Sequence, residues 1–164
     1  MAVTPEEFKQ ALQHWASGVA VVTSKSEQFG VRGMTVTAFS SVSVEPPQIL
    51  VCLNQSADTG ENIDQNQRFA VNILHAAQQD ESNNFSGGRS QEDRFANTQW
   101  SAGRTGVPIL DNSILSLECK VIEKVRAGTH WVIIGEIEAT TCRSGEPLLY
   151  FRGNYRQLES RTDS

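Results

Sequence analysis

The chain has 164 residues, of which 38% are hydrophobic and 20% charged, so we predict one globular domain over residues 1–164. The 14 Lys and Arg against 19 Asp and Glu give a net charge of -5, which disfavours nucleic acid or an anionic membrane surface as the main partner. No apolar run approaches the about 20 residues of a membrane span. No secretory signal is visible, so we expect a cytoplasmic protein.

The first predicted helix begins at a capping box, in which Thr4 precedes Pro5 and Glu7 follows three residues after Thr4. Phe8, Leu12 and Trp15 then form one apolar stripe, and Gly18 should end the helix. We expect this stripe to pack against the core.

Strands are predicted next, because β-branched and alternating residues dominate residues 19–23, 31–43 and 48–54. Asp58 resembles an N-cap and should open a short polar helix that ends before Arg68, followed by a strand at residues 69–74. Residues 76–106 are polar and predict a weak helix and then a long loop, which is usually functional or mobile.

Further strands are predicted at residues 116–124, 131–138 and 148–151, with a last short one near Tyr155. About seven strands without a regular βαβ alternation favour a mainly β fold, an antiparallel barrel with peripheral helices.

Cysteine and histidine spacing indicates no metal site, since there is no CxxC pair and the histidines lie far apart in the sequence. We expect each cysteine to be a small buried apolar residue. The residues concerned are Cys52, Cys119 and Cys142, with His14, His75 and His130.

Three segments could carry binding chemistry. Residues 33–41 are mostly small or hydroxylated and could bind a flat, polar-edged heterocycle, or simply form a solvated edge strand. Residues 53–60 join a strand to a helix N-terminus that suits a phosphate, or serve only as a helix cap. His130 follows a hairpin turn at Gly128 and Thr129, where it would face a ligand cleft or be an ordinary surface histidine.

Read in order, four blocks resemble the short-chain flavin reductase family, nearest to the reductase components of two-component aromatic monooxygenases such as 4-hydroxyphenylacetate 3-monooxygenase. The blocks are residues 18–23, 33–53, 128–130 and 147–155. Much of the family has Gly-Asp-His where this chain has Gly-Thr-His, which leaves the choice of NADH or NADPH open.

The resemblance implies an FMN-binding split β-barrel, a homodimer with flavin near the interface, and reduction of free FMN or FAD by NADH or NADPH. Released reduced flavin would supply a partner monooxygenase. No catalytic side chain is implied, because hydride transfer belongs to the cofactors. The implied cofactor-binding residues, carried over by position, are Met34, Thr35, Val36, Thr37, Ser40, Ser41, Leu53, Asn54, Gln55, Ser56, Thr59, Phe85, Ser86, Gly87, Arg89, His130 and Tyr155.

Within that implied set, His130 would lie over the nicotinamide, with Tyr155 nearby. Two alternatives stay open at this point. One is a flavin-dependent reductase of a dedicated acceptor, such as a corrinoid, a ferric chelate or a quinone. The other is a flavin-binding protein without a nicotinamide site.

Overall fold

The computed structural model describes residues 2–159; Met1 and residues 160–164 of the predicted domain lie outside the described residues. The helices are α1 (Pro5–Leu12), α2 (Asp58–Asn66), α3 (Gln79–Phe85) and α4 (Gln91–Ala96). The strands are β1 (Ser17–Gly18), β2 (Ala20–Ser26), β3 (Gly30–Val36), β4 (Phe39–Ser43), β5 (Gln48–Asn54), β6 (Arg68–Ile73), β7 (Trp100–Ala102), β8 (Pro108–Leu110), β9 (Leu115–Ala127), β10 (His130–Cys142), β11 (Leu149–Phe151) and β12 (Asn154–Arg156).

The largest sheet has seven strands in the order β3-β2-β6-β9-β10-β5-β4, beside a sheet β1-β11-β12 and a pair β7-β8. The strand pairings of all three sheets are antiparallel. The predicted mainly β, antiparallel architecture with few helices is therefore confirmed. No helix in residues 2–159 combines the length and apolar character that a membrane crossing needs.

The two edge strands of the large sheet, β3 and β4, are joined by only Thr37 and Ala38. Three Cα–Cα steps span at most about 11 Å, so the two edges of the sheet approach each other at this corner. The prediction of one strand over residues 31–43 is wrong, because the chain leaves one edge here and enters the other. Small and hydroxylated residues occur on both sides of Thr37 and Ala38, so the residue pattern does not indicate where one strand ends and the next begins.

The core is divided by the alternation of side chains along β2. Ala20 and Val22 point into the main cluster between the strands of the large sheet. Val21 points the other way and packs, with Phe85 and Phe95 of the two short helices, into a second cluster. β2 is buried on both faces because α3 and α4 cover the face that the main cluster leaves open.

Helix α1 forms as predicted, with the Thr4 hydroxyl and the Glu7 carboxylate completing the capping box. It ends at Leu12, well before Gly18. The packing prediction for its stripe is wrong for the single chain, because Phe8 is 58%, Leu12 48% and Trp15 73% exposed. The helix lies on the surface, and within residues 2–159 no apolar counterpart covers this face.

Residues 76–106 contain more structure than the predicted weak helix and loop, namely α3, α4 and β7. These elements are short, and their own propensity is weak. They are held by aromatic packing, since Phe95 lies edge-on to Phe85 at 5.2 Å and to Trp100 at 5.5 Å between ring centroids. Because residues 76–106 are mostly polar, their sequence did not indicate that three aromatic side chains hold these elements in place.

Glu118 is a buried carboxylate in β9. It is 1% exposed and accepts from the Arg104 amide at 3.0 Å, the Thr105 amide at 2.6 Å and the Thr105 hydroxyl at 2.7 Å. The loop before β8 thus closes over the sheet and satisfies the charge.

The cysteines differ in burial. Cys119 is buried as predicted, and its burial raises the pKa of the thiol to about 12. Cys52 is half-buried, and Cys142 is exposed near the end of β10, so the prediction of burial is wrong for Cys142.

Candidate functional site

A cavity of about 360 Å³ lies where β3, the loop from β5 to α2, and the α3–α4 segment meet. This volume is in the range of small-molecule sites. The cavity brings together eight of the residues that the sequence singled out: Met34, Thr35, Asn54, Ser56, Thr59, Phe85, Ser86 and Gly87. It also contains Ala57, Asp58, Gln91 and Arg94, which the sequence analysis did not select.

The loop from β5 to α2 presents main-chain donors to the cavity. Asn54 holds the turn, because its Oδ1 accepts from the Ser56 amide at 3.0 Å and from the Ser56 hydroxyl at 2.8 Å. The N-cap of α2 is Ala57, which has no side chain that could cap the helix. Capping by Asp58 is therefore wrong, and the Asp58 and Thr59 amides at the start of α2 have no hydrogen-bond partner among the described residues, which suits an anion.

Two buried side-chain donors on the cavity wall have no partner among the described residues. Thr59 is fully buried, and its Oγ1 makes no hydrogen bond there. The Nε of Arg94 is also buried and unpaired, although Nη1 of the same side chain donates to the Gly33 carbonyl at 2.8 Å. Burial lowers the pKa of Arg94 and the nearby Asp58 carboxylate opposes this. An anionic ligand would satisfy both orphaned donors.

Gly33 allows α3 and α4 to approach β3 and so to form the cavity wall. A Cβ atom at this position would lie 2.9 Å from Cε1 of Phe85 and 3.2 Å from Cγ2 of Thr23. The Gly33 amide donates to Oε1 of Gln91 at 2.8 Å, while the Gly33 carbonyl accepts from Arg94. The aromatic wall of the cavity therefore depends on a residue with no side chain.

The other residues predicted from the 33–41 segment do not line this cavity. Val36 is buried in the main core, and Ser40 and Ser41 of β4 are exposed and do not line the cavity. Thr37 lines a separate groove of about 230 Å³ with Trp15 and its neighbours. Thr35 does line the cavity, although its hydroxyl already donates to a carbonyl of α3 at 2.7 Å.

His130 lies beside the cavity without lining it. It pairs with Asn54 across the β5–β10 ladder, so the two side chains are on the same face of the sheet, roughly 5 Å apart at Cβ. His130 is exposed, and its Nδ1 is 2.9 Å from the Thr129 hydroxyl. The turn that presents it contains Gly128 with φ 58°, a conformation that glycine adopts without strain.

Four further predicted residues are outside the cavity. Leu53 is fully buried in the core, so only its main chain could meet a ligand. The Tyr155 hydroxyl lies 2.8 Å from the Ser82 hydroxyl and donates to Asn83 at 2.9 Å, which ties β12 to α3. Arg89 is exposed on the loop between α3 and α4. The fourth, Gln55, bonds the turn before β10.

The sequence analysis did not select Arg94, which lines the cavity, whereas Arg89, carried over from the resemblance, does not. One signal was available. Ser90 is a good N-cap and accepts from the Asp93 amide at 3.1 Å, so a short helix could have been placed here. That helix has Phe95 as its buried residue, which directs the preceding arginine along the cavity wall.

A second exposed surface is formed by α1, by β11 and by the turn that follows β11. It contains the stripe of α1 and Tyr150, which is 37% exposed, around a groove of about 370 Å³. Large exposed apolar patches on soluble proteins are typical of interaction surfaces. Within residues 2–159, no cluster of three or more His, Cys, Asp or Glu side chains could hold a metal ion.

Comparison with known proteins gives a consistent result. A family model described as a flavin reductase like domain matches residues 12–159. The FMN reductase (NADH) RutF of Pseudomonas syringae pv. syringae (strain B728a) is 41% identical over 162 residues, covering 98% of this chain and 90% of the relative.

Two solved structures share the fold. The NADH:FAD oxidoreductase SgcE6 of Streptomyces globisporus C-1027, in complex with NAD and FAD fragments, has a TM-score of 0.90 at 27% identity, covering 99% of each chain. The styrene monooxygenase flavin reductase SMOB of Pseudomonas putida S12 has a TM-score of 0.85 at 30% identity, covering 94% of this chain and 98% of its own. The resemblance inferred from the four sequence blocks is confirmed, and the chain belongs to the flavin reductase-like family.

Proposed function

We propose that this protein is an NADH-dependent flavin reductase that binds free FMN or FAD in the cavity described above. One observation carries the proposal: Thr59 and Arg94, two buried donors without described partners, are on the wall of one cavity that also has an apolar side. Names of relatives support it, since RutF is an FMN reductase that uses NADH and SgcE6 was solved with NAD and FAD fragments.

The residues present fit a flavin. Met34 and Phe85 offer apolar contact to a flat ring, and Ser86 and Gly87 offer small polar groups beside it. Ser56, Thr59, Arg94 and the first amides of α2 would hold a phosphate, where hydrogen bonds to a charged oxygen are stronger than neutral ones. The first turn of α2 also carries Asp58 and Glu61, but Arg32 lies 2.6 Å from Glu61 and neutralises part of that charge.

A bound flavin supplies the chemistry, because its oxidised ring accepts a hydride from the reduced nicotinamide. The protein therefore needs no nucleophile or general acid, and its contribution is to orient the two substrates. We assign His130 to the nicotinamide side, since it faces the same side of the sheet as Asn54 and stays exposed at the cavity mouth. Positioning of this kind can supply several kcal/mol of the barrier reduction, on the order of 7–11 in the best cases.

We propose that residues 1–164 form one domain with a split β-barrel. The short link between β3 and β4 supports a closed or nearly closed sheet, since it joins the two edges through Thr37 and Ala38.

We also propose a homodimer that buries the stripe of α1, Tyr150 and the Thr37 groove, because Phe8, Leu12 and Trp15 are exposed beside these grooves. Trp15→Glu should shift the protein from dimer to monomer in sedimentation analysis, whereas Ile122→Glu, at an exposed apolar residue elsewhere, should not.

The reduced flavin would be released to a partner monooxygenase in the cytoplasm; in support, the related SMOB is named as the flavin reductase of a styrene monooxygenase. Release is favoured by a cavity that holds the ligand with few charged groups, Arg94 being the cation on its wall.

The test is anaerobic oxidation of NADH and of NADPH by purified protein with FMN, FAD or riboflavin. We expect NADH oxidation that depends on added flavin, and a large loss of turnover in His130→Ala. A protein that oxidises NADH slowly with every flavin but rapidly with a corrinoid, ferric chelate or quinone would be a reductase of a dedicated acceptor. Flavin binding without any NAD(P)H oxidation would indicate a carrier, and both results would overturn the proposal.

A further inference from the structure

Gln55 makes a set of contacts that the cavity does not explain. Its main-chain amide donates to the Thr129 carbonyl at 3.0 Å. Its side-chain Nε2 donates to the Gly128 carbonyl at 2.8 Å and approaches the His130 carbonyl at 3.4 Å. One residue thus accounts for hydrogen bonds to the carbonyls of three consecutive residues, 128–130, which form the turn and the first position of β10.

The position of Gln55 along the chain makes this set of contacts informative. Its neighbours Asn54 and Ser56 both line the cavity, and its own side chain turns away from the cavity to the hairpin. The end of the β9–β10 hairpin is otherwise exposed, including the last residues of β9 and the whole turn. Gln55 is therefore the residue through which the cavity loop holds the turn that carries His130.

We propose that Gln55 is a positioning residue that fixes the His130 turn against the flavin loop, and that it does not itself contact flavin. The proposal rests on the proposed function, in which His130 meets the nicotinamide. It makes Gln55 a determinant of NADH use, since a turn that loses its side-chain donor lets His130 move relative to the cavity mouth.

Two substitutions of Gln55 distinguish the effect of losing the hydrogen-bond donor from the effect of changing the shape of the side chain. Gln55→Leu keeps nearly the same volume and removes Nε2, so it should lower kcat/KM for NADH about fivefold, the amount expected for one net hydrogen bond. Gln55→Lys keeps a donor for the same carbonyls and should recover most of the loss. Gln28→Leu, on an exposed turn between β2 and β3, is the matched control and should behave as the wild type.

Three readouts distinguish positioning from a general structural role. The KM for FMN and the FMN dissociation constant should stay within about twofold of wild type in Gln55→Leu, as expected for sites that do not interact. The melting temperature should change little. In a His130→Ala background, Gln55→Leu should have almost no further effect, because the residue through which it acts has gone.

The outcomes are separable. Wild-type protein that never oxidises NADH with any flavin would refute the proposed function and this role together. Active wild type with a Gln55→Leu variant of equal kcat/KM for NADH would refute the role alone. Loss of FMN affinity in Gln55→Leu would show that Gln55 contributes to flavin binding, and a full additional loss in the His130→Ala background would show that it does not act through His130; either result would also overturn the proposal.

Discussion

Replacing Thr59 with valine should make the ligand-free protein more stable and its FMN complex weaker. Thr59 is fully buried, and its hydroxyl has no partner among the described residues. Removing this hydroxyl from water on folding therefore lowers the stability of the folded protein, because no hydrogen bond compensates. Valine has the same shape without the hydroxyl. A buried unsatisfied polar group costs about 1–3 kcal/mol, so unfolding free energy should rise by about that amount. For a chain of this length, each kcal/mol raises Tm by about 2–4 °C.

The effect on binding has the opposite sign. In the complex, Thr59 would donate to the phosphate, and a hydrogen bond to a charged group is worth about 1.5–3 kcal/mol. Its loss should weaken FMN binding roughly 10-fold to 150-fold, since about 1.4 kcal/mol corresponds to a factor of ten. Riboflavin has no phosphate, so its affinity should not change.

Thermal unfolding and fluorescence titration with FMN and riboflavin measure both effects. Thr23→Val is the matched control, because Thr23 is equally buried but its hydroxyl donates to the Pro108 carbonyl at 2.5 Å and accepts from Asn72 at 3.1 Å. That variant should be destabilised. A Thr59→Val variant that loses stability without ligand, or that weakens FMN and riboflavin equally, would refute the reasoning.

Three further predictions concern other groups. A thiol reagent should modify exposed Cys142 in the native protein and spare Cys119, whose pKa burial raises to about 12; mass spectrometry checks this, and native labelling at Cys119 would contradict it. The hydrogen bond from Arg68 lowers the pKa of Glu138 below 4.5, so the stability that this pair adds is present above that pH and lost as pH falls through the lowered pKa. Urea unfolding of Glu138→Gln should therefore lose less stability on acidification than the wild type, and equal losses would exclude a contribution from the pair. Glu118→Gln should lower unfolding free energy by about 1–3 kcal/mol in urea, because the glutamine NH2 group would face one of the two main-chain N–H groups that donate to separate carboxylate oxygens, and wild-type stability would argue against that role.

The central strands were predictable because burial on both faces requires continuous β-branched and apolar residues, as in β2 and β6. The break at Thr37 and Ala38 was not predictable, since the residue pattern is unchanged where the chain passes between sheet edges. The capping box at Thr4 gave the start of α1 correctly, but a stripe at helical spacing does not reveal which surface covers it.

The part of the candidate site that could be predicted is the part whose conformation depends on residues near in sequence. A strand that runs into a helix N-terminus brings Asn54, Ser56 and Thr59 to one cavity. Arg94 was not selected because its position depends on a hydrogen bond to the Gly33 carbonyl, and Gly33 is distant in the sequence. In the sequence, Gly33 indicates only a small residue within a strand. The side-chain direction of Gln55 was likewise not predictable, because it depends on the register between β5 and β10.

The cavity is lined by residues of β3, of the loop from β5 into α2 and of the α3–α4 segment, and these three parts of the chain separate when it unfolds. An occupant that touches all three adds its affinity to the folded state alone. For the flavin that we propose as the occupant, each release would remove this stabilisation, so the protein would be least stable between one catalytic cycle and the next. In a cell short of riboflavin, quality-control proteases would encounter more unfolded chain, and the abundance of the enzyme would follow the supply of the vitamin.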